Sequence, residues 1–103
     1  PWTAELMKIL ALEREVPGTP ADAFAPHLKA EARRAWELVQ AGVIRELYFD
    51  RDQHTAVLML ECADLDAARA ALATLPLVET GLITFELIPL APYSGFARLF
   101  TAD

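Results

Sequence analysis

Leu75-Pro76-Leu77-Val78-Glu79-Thr80-Gly81-Leu82-Ile83-Thr84-Phe85-Glu86-Leu87-Ile88-Pro89-Leu90-Ala91-Pro92-Tyr93 is the stretch whose reading decides the fold. It reads as a helix end, a turn marked by Pro76, a glycine, and an alternating strand that runs into a Pro-broken aromatic tail. Side chains alternate along a strand, so Leu82, Thr84, Glu86 and Ile88 fall on one side and Ile83, Phe85 and Leu87 on the other. The second set is wholly apolar, as a face covered by helices should be. The first carries a hydroxyl and a carboxylate among apolar neighbours, a pattern that predicts a lined cavity on that side.

Upstream, Asp64 is placed to cap an Ala-rich helix over Leu65 to Leu75. Before it, Val43 to Asp50 and Thr55 to Cys62 are strand-like runs joined by the polar turn Arg51-Asp52-Gln53, which predicts a hairpin. Gly42 is a natural stop for a helix running from about Pro20 to Ala41, with Thr19 or Asp22 as its cap. The apolar residues Phe24, Leu28, Ala32, Ala35, Leu38 and Val39 recur there at helical spacing. Leu6 to Arg14 is dense in aliphatics and ends at Val16-Pro17-Gly18, so it reads as the first strand.

The order is then β-α-β-β-α-β, an α+β, ferredoxin-like sandwich forming one domain over residues 1–103, with 91–103 as a C-terminal interface tail. Such a four-stranded antiparallel sheet carries its helices on one face, and the other face needs cover. A hydrophobic fraction of 54% is more than a chain of 103 residues can hide alone, which predicts a homo-oligomer. The tail Tyr93-Ser94-Gly95-Phe96-Ala97-Arg98-Leu99-Phe100 points the same way: it should pack across a neighbouring subunit or close a cavity mouth.

A net charge of −6 without a basic run argues against nucleic acid and anionic membrane as partners. No apolar run reaches the roughly 18 residues needed to span a bilayer. The single Cys62 reads as a reduced, buried thiol, and with no signal-peptide pattern at the N-terminus a cytoplasmic location is expected.

Chemistry is thinly marked. There is no Cys-x-x-Cys, His-Glu-x-x-His, Gly-rich phosphate loop or Gly-x-Ser-x-Gly, so metal, nucleotide and serine-hydrolase sites lack support. His27 and His54 are the only histidines, each a structural or a catalytic candidate. On the sheet face opposite the helices, Thr84 and Glu86 should be joined by Thr55, Val57, Met59 and Glu61. In the second strand either Ile44, Glu46 and Tyr48 or Val43, Arg45, Leu47 and Phe49 should share that face. Lys8 lies within the apolar first strand, where an ammonium is costly unless paired. Beside Glu61 or Glu86 it would serve acid–base work or an intersubunit ion pair. Pro1 would supply a tautomerase-type amine base only if it began the strand, and several residues intervene.

The run Leu75-Pro76-Leu77, the strand bearing Glu86, and Pro92 resemble the end of muconolactone isomerase. Glu31 in the first helix, Gly42 at its end and Val43-Ile44-Arg45-Glu46-Leu47-Tyr48 after it are similar too, so the resemblance spans about Thr19 to Ser94. This chain departs from the family at Leu90-Ala91 and at Asp52-Gln53-His54, where the isomerase has histidine-bearing segments. The resemblance implies a dimeric α/β barrel in which two sheets pack face to face, built into a larger ring. It also implies an isomerase that moves a proton on a small lactone carrying a carboxylate, in aromatic degradation, without metal or organic cofactor. Glu31 would then be the acid/base, with His27 or His54 assisting. Arg45 would anchor the anion, and Tyr48, Glu61, Glu86 and Tyr93 would line the substrate pocket. A non-catalytic ligand-binding or scaffold protein of the same superfamily is the competing expectation. A cofactor-free oxygenase would need an aromatic cavity, and Trp2 and Trp36 lie outside the strands.

Overall fold

The first strand, β1 (Met7–Glu15), is the hub of the sheet. It pairs antiparallel with β3 (Ala56–Cys62) on one side and with β4 (Ile83–Leu90) on the other. The strand β2 (Ile44–Phe49) extends the sheet beyond β3, giving the order β2-β3-β1-β4. This is the expected ferredoxin-like topology, seen in a computed structural model that describes residues 6–102. Pro1 and Trp2 lie outside the described residues.

Alternation sorts the strands as the sequence predicts. Ile9, Ala11, Leu58, Leu60, Ile44 and Ile83 turn to the helix side and are essentially sealed from solvent. Leu38 of α1 (Leu28–Gln40), Ala68 and Leu72 of α2 (Leu65–Leu72) and Leu77 of α3 (Pro76–Glu79) bury against that side. Each large aliphatic so buried contributes roughly 1.5–3 kcal/mol relative to exposure.

The first helix begins later than its apolar spacing predicts. Residues Ala21–Ala23 and Ala25–His27 form two separate 3₁₀ turns, and α1 starts only at Leu28. Pro26 has no N–H to donate and its ring collides with the carbonyl four residues back, so a continuous helix through it is barred. Neither Thr19 nor Asp22 caps it: the Thr19 hydroxyl donates instead to the Val16 carbonyl at 2.7 Å. Asp64 does cap α2, accepting from the Ala67 N–H at 2.7 Å. That helix ends at Leu72 and not Leu75, because Leu75 precedes a proline and is held extended (ψ 129°). Pro76 then opens the extra turn α3.

Two glycines end their helices identically. Gly42 (φ 82°) donates to the Val39 carbonyl and Val43 to that of Leu38; Gly81 (φ 79°) donates to Val78 and Leu82 to Leu77. These are paired Schellman closures, which only a residue at ease with positive φ completes. After Leu90 the chain leaves the sheet, and Gly95–Phe100 forms a 3₁₀ segment whose Phe96, Leu99 and Phe100 are all largely exposed. The molecule is 60 Å long and 19 Å thin, with a radius of gyration of 16.6 Å. A compact chain of this length has about 13 Å.

Candidate functional site

The candidate site lies in the layer between the sheet and α1. Glu31 sits in the first turn of α1, partly buried, and its Oε1 accepts a hydrogen bond from the Leu77 N–H at 2.9 Å. Leu77 is in the first turn of α3, whose N-cap Leu75 has no side-chain oxygen to offer. A carboxylate from another helix therefore satisfies a donor that the helix start leaves open.

Glu13 enters the same layer from β1. Its place is dictated by register: it follows Ile9 and Ala11 on the inward face of the strand, and it is only 9% exposed. Its Oε1 accepts from the Ala56 N–H at 2.8 Å. The last β1–β3 register pair is Leu12 with Val57, so this side chain continues the hydrogen bonding where the backbone ladder stops.

Burial is the largest influence on the Glu31 carboxyl and holds it above the ordinary glutamate range. The Leu77 N–H pulls the other way, the negative charge of Glu13 raises it again, and His27 lowers it. Glu13 and His27 thus both act on Glu31, in opposite directions. Among the described residues, no lysine or arginine forms an ion pair with either glutamate. A carboxyl so placed is a stronger base once ionised and a usable acid when protonated, as proton transfer beside a carbonyl requires.

The other candidates are on the far side of the sheet or at its margins. A β-bulge between Ile44 and Glu46 breaks the alternation of β2, so neither face set expected for that strand holds intact. Ile44 turns inward, while Glu46 and Tyr48 lie opposite Met59 and Val57 on the open face. The bulge sends Arg45 to that open side as well, where its Nε pairs with Glu61 at 3.3 Å. The Tyr48 hydroxyl donates to Glu46 at 2.9 Å, which holds it protonated to higher pH than usual. Glu86 pairs with Arg14 at 2.7 Å. Lys8 stands opposite Glu61 in register, but Glu61 makes its ion pair with Arg45.

Between these ion pairs runs an apolar band, in which Met59, Leu10 and Ile88 form one cross-strand row and Val57 and Leu12 begin the next. The cavity expected around Thr84 and Glu86 is not formed there: Thr84 borders only a hollow of about 170 Å³ with Arg69, Phe85 and Leu87. A recess of about 410 Å³ lies elsewhere, bordered by Leu6, Lys8, Glu61, Leu90 and Pro92. His54 belongs to the hairpin turn, in a left-handed conformation (φ 61°) and stacked on Phe49 at 5.1 Å. It is not among the charges acting on Glu31. Tyr93 lies in the tail, its ring against Phe96 at 4.9 Å and over Gly95.

Glu31 and His27 therefore come together, whereas Arg45, Tyr48, Glu61 and Glu86 share the opposite sheet face. Glu13 was not singled out by its sequence context. Its signal was the inward alternation with Ile9 and Ala11, which puts a carboxylate where an aliphatic is expected. Among the described residues, no group of three or more His, Cys, Asp or Glu could hold a metal ion, and no helix is long and apolar enough to cross a membrane.

The chain is similar in structure to muconolactone isomerase, solved at 3.3 Å resolution, with a TM-score of 0.67. The two are 20% identical over 85% of this chain and 92% of that one. The shared fold is the one its residues resemble. No protein-family model matches the chain, and no curated protein matches it by sequence.

Proposed function

We propose that this protein is a cofactor-free isomerase or cyclase that moves a proton on a small lactone or carboxylate, with Glu31 as its acid/base and His27 beside it. The observation that carries this reading is the state of Glu31: partly buried, anchored through one oxygen on Leu77, and held above the usual carboxylate range chiefly by burial. In the reaction, the Glu31 carboxylate takes a proton from a carbon next to the carbonyl, and the electron pair passes into the enolate. The resulting carboxyl returns the proton to the distal carbon, so the double bond migrates and nothing is oxidised or reduced. Likeness in fold to an enzyme named for isomerising muconolactone supports the substrate class.

The open face is read as an assembly surface. Two copies placed sheet to sheet would bury Leu10, Leu12, Val57, Met59 and Ile88, giving a dimeric α/β barrel, with residues 91–103 as an interface tail. In this reading Arg45, Tyr48, Glu61, Glu86 and Tyr93 serve the assembly and its recess more than the proton transfer at Glu31. A free, buried Cys62 is consistent with a reducing cytoplasm.

The second reading is a non-catalytic oligomeric or ligand-binding protein, favoured by how much apolar surface the open face and tail leave uncovered. Deuterium exchange into muconolactone-like substrates separates the two. The isomerase reading expects exchange in the wild type and its loss, by at least about 100-fold, in Glu31→Gln. Absence of exchange with every lactone tried, or full exchange in Glu31→Gln, would sink it.

A further inference from the structure

Glu61, Lys8 and Leu90 form one cross-strand row at the end of the sheet: Lys8 of β1 stands between Glu61 of β3 and Leu90 of β4. Its neighbour Ile9 is sealed under the helices, so alternation sends Lys8 to the open face, away from Glu31. This row borders the recess of about 410 Å³, whose other walls are Leu6, Met7, Ala91 and Pro92. Small-molecule sites occupy volumes of about 300–1,000 Å³. Leu6 and Leu90 are 56% and 39% exposed, so the apolar part of the rim has no cover in the single chain.

The charges at this corner do not cancel. Three other ion pairs among the described residues match one cation to one carboxylate: Arg14 with Glu86, Arg34 with Glu37 and Arg69 with Asp66. Here two cations flank one carboxylate, and Arg45 takes it, its Nε 3.3 Å from Glu61 Oε1. Lys8 forms no ion pair with any described residue. In a chain of net charge −6, one positive charge is left over beside an apolar hollow.

We infer that the recess is a binding site, separate from Glu31, for a small monocarboxylate with an apolar body. The Lys8 ammonium holds the carboxylate through a charge-assisted hydrogen bond, and Leu6, Leu90 and Pro92 take the body out of water. One negative charge completes the balance at this corner, whereas a second would be left facing Glu61. The sheet stands between the recess and the helix-side layer, so a ligand bound here touches neither Glu31 nor His27. It is held without being transformed, and the inference does not depend on the proposed role of Glu31.

The test is a titration of the full chain with benzoate, followed by amide NMR shifts, with benzamide as the uncharged control of the same shape. Benzoate should give saturable shifts centred on Leu6, Lys8, Glu61 and Leu90. Benzamide should bind at least about tenfold more weakly, because it lacks the charge for the ammonium. Lys8 is exposed, so Lys8→Met keeps the stem and leaves the core untouched. That variant should weaken benzoate by at least about tenfold, and Lys8→Arg should retain most of the affinity. Glu61→Gln removes the competing carboxylate and should tighten benzoate by roughly threefold. Glu31→Gln should bind benzoate as the wild type does.

Absence of saturable shifts around the recess overturns the inference, as does equal benzoate affinity in wild type and Lys8→Met. Equal affinity for benzamide would make the recess an apolar hollow without an anion anchor and overturns it too. Shifts centred on Glu31 and His27 would put the carboxylate on the other side of the sheet, with the same consequence.

Discussion

Glu13 and Glu86 stand on adjacent strands of one sheet, and their surroundings could hardly differ more. Glu86 points to the open face, about half exposed, and meets Arg14 at 2.7 Å. Glu13 points to the helices, 9% exposed, with a backbone N–H for company. The ion pair in solvent is worth little to the fold, on the order of 1 kcal/mol or less. The inward carboxylate instead serves the sheet, bonding the Ala56 N–H where the β1–β3 ladder ends. The two faces of the sheet therefore differ in kind: one is packed against the helices, the other is apolar and bridged by ion pairs at its margins.

The comparison breaks most visibly if the faces are equally important to the single chain. Leu60→Ala on the helix side should cost about 2–5 kcal/mol in urea unfolding, because it opens a cavity in a sealed core. Leu12→Arg on the open face should leave the chain folded yet reduce the mass of the assembly in native mass spectrometry toward one subunit. If Leu12→Arg unfolds the chain outright or leaves the mass of an oligomer unchanged, the division between faces is wrong.

A smaller effect sharpens the difference in ionisation. The Glu31 carboxyl is raised in the folded chain above its ordinary value of 4.5, chiefly by burial. Its favourable contribution is complete below that value and is lost as pH rises through the folded one. Glu31→Gln keeps an acceptor for Leu77 and cannot ionise. Its melting temperature should gain on the wild type between pH 4 and pH 8, by a few degrees at most. A difference that stays constant or moves in favour of the wild type with rising pH would contradict the burial argument. The smallest effect belongs to the open face: the Arg14–Glu86 coupling, read from a double-mutant cycle with Arg14→Ala and Glu86→Ala, should be no more than about 1 kcal/mol and should shrink in 0.5 M salt, on the order of a threefold shorter screening range than at low salt.

The outlines of this architecture were legible because they are local or periodic. Gly42 and Gly81 announce helix ends through backbone geometry, Asp64 announces a beginning, and the alternation of Ile83, Phe85 and Leu87 announces a covered face. What failed to show depended on a single competing residue or on a partner far along the chain. Pro26 cut the first helix against the apolar spacing of Phe24 and Leu28, since spacing does not register a missing N–H. The bulge at Ile44 and Glu46 is a mismatch between two strands, invisible in either one. The chemistry was harder still. Glu31 was a candidate through resemblance alone, and the inward place of Glu13 required knowing which face of β1 the helices cover. Arg45 and Glu31 looked like parts of one site until the bulge turned Arg45 to the other side of the sheet.

The central position of β1 also governs how the molecule must come together. Lys8 is matched with Glu61 and with Leu90, so β1 waits for β4, far along the chain, before its ladder is complete. Until then the run Ile9-Leu10-Ala11-Leu12 keeps the edge that β4 will cover unsatisfied, while the β2–β3 hairpin can zip by itself. Pairings this distant slow the search for the native arrangement relative to a helical bundle of equal length. They also leave a sticky strand open to capture by another nascent chain. Refolding yield should therefore fall steeply with protein concentration.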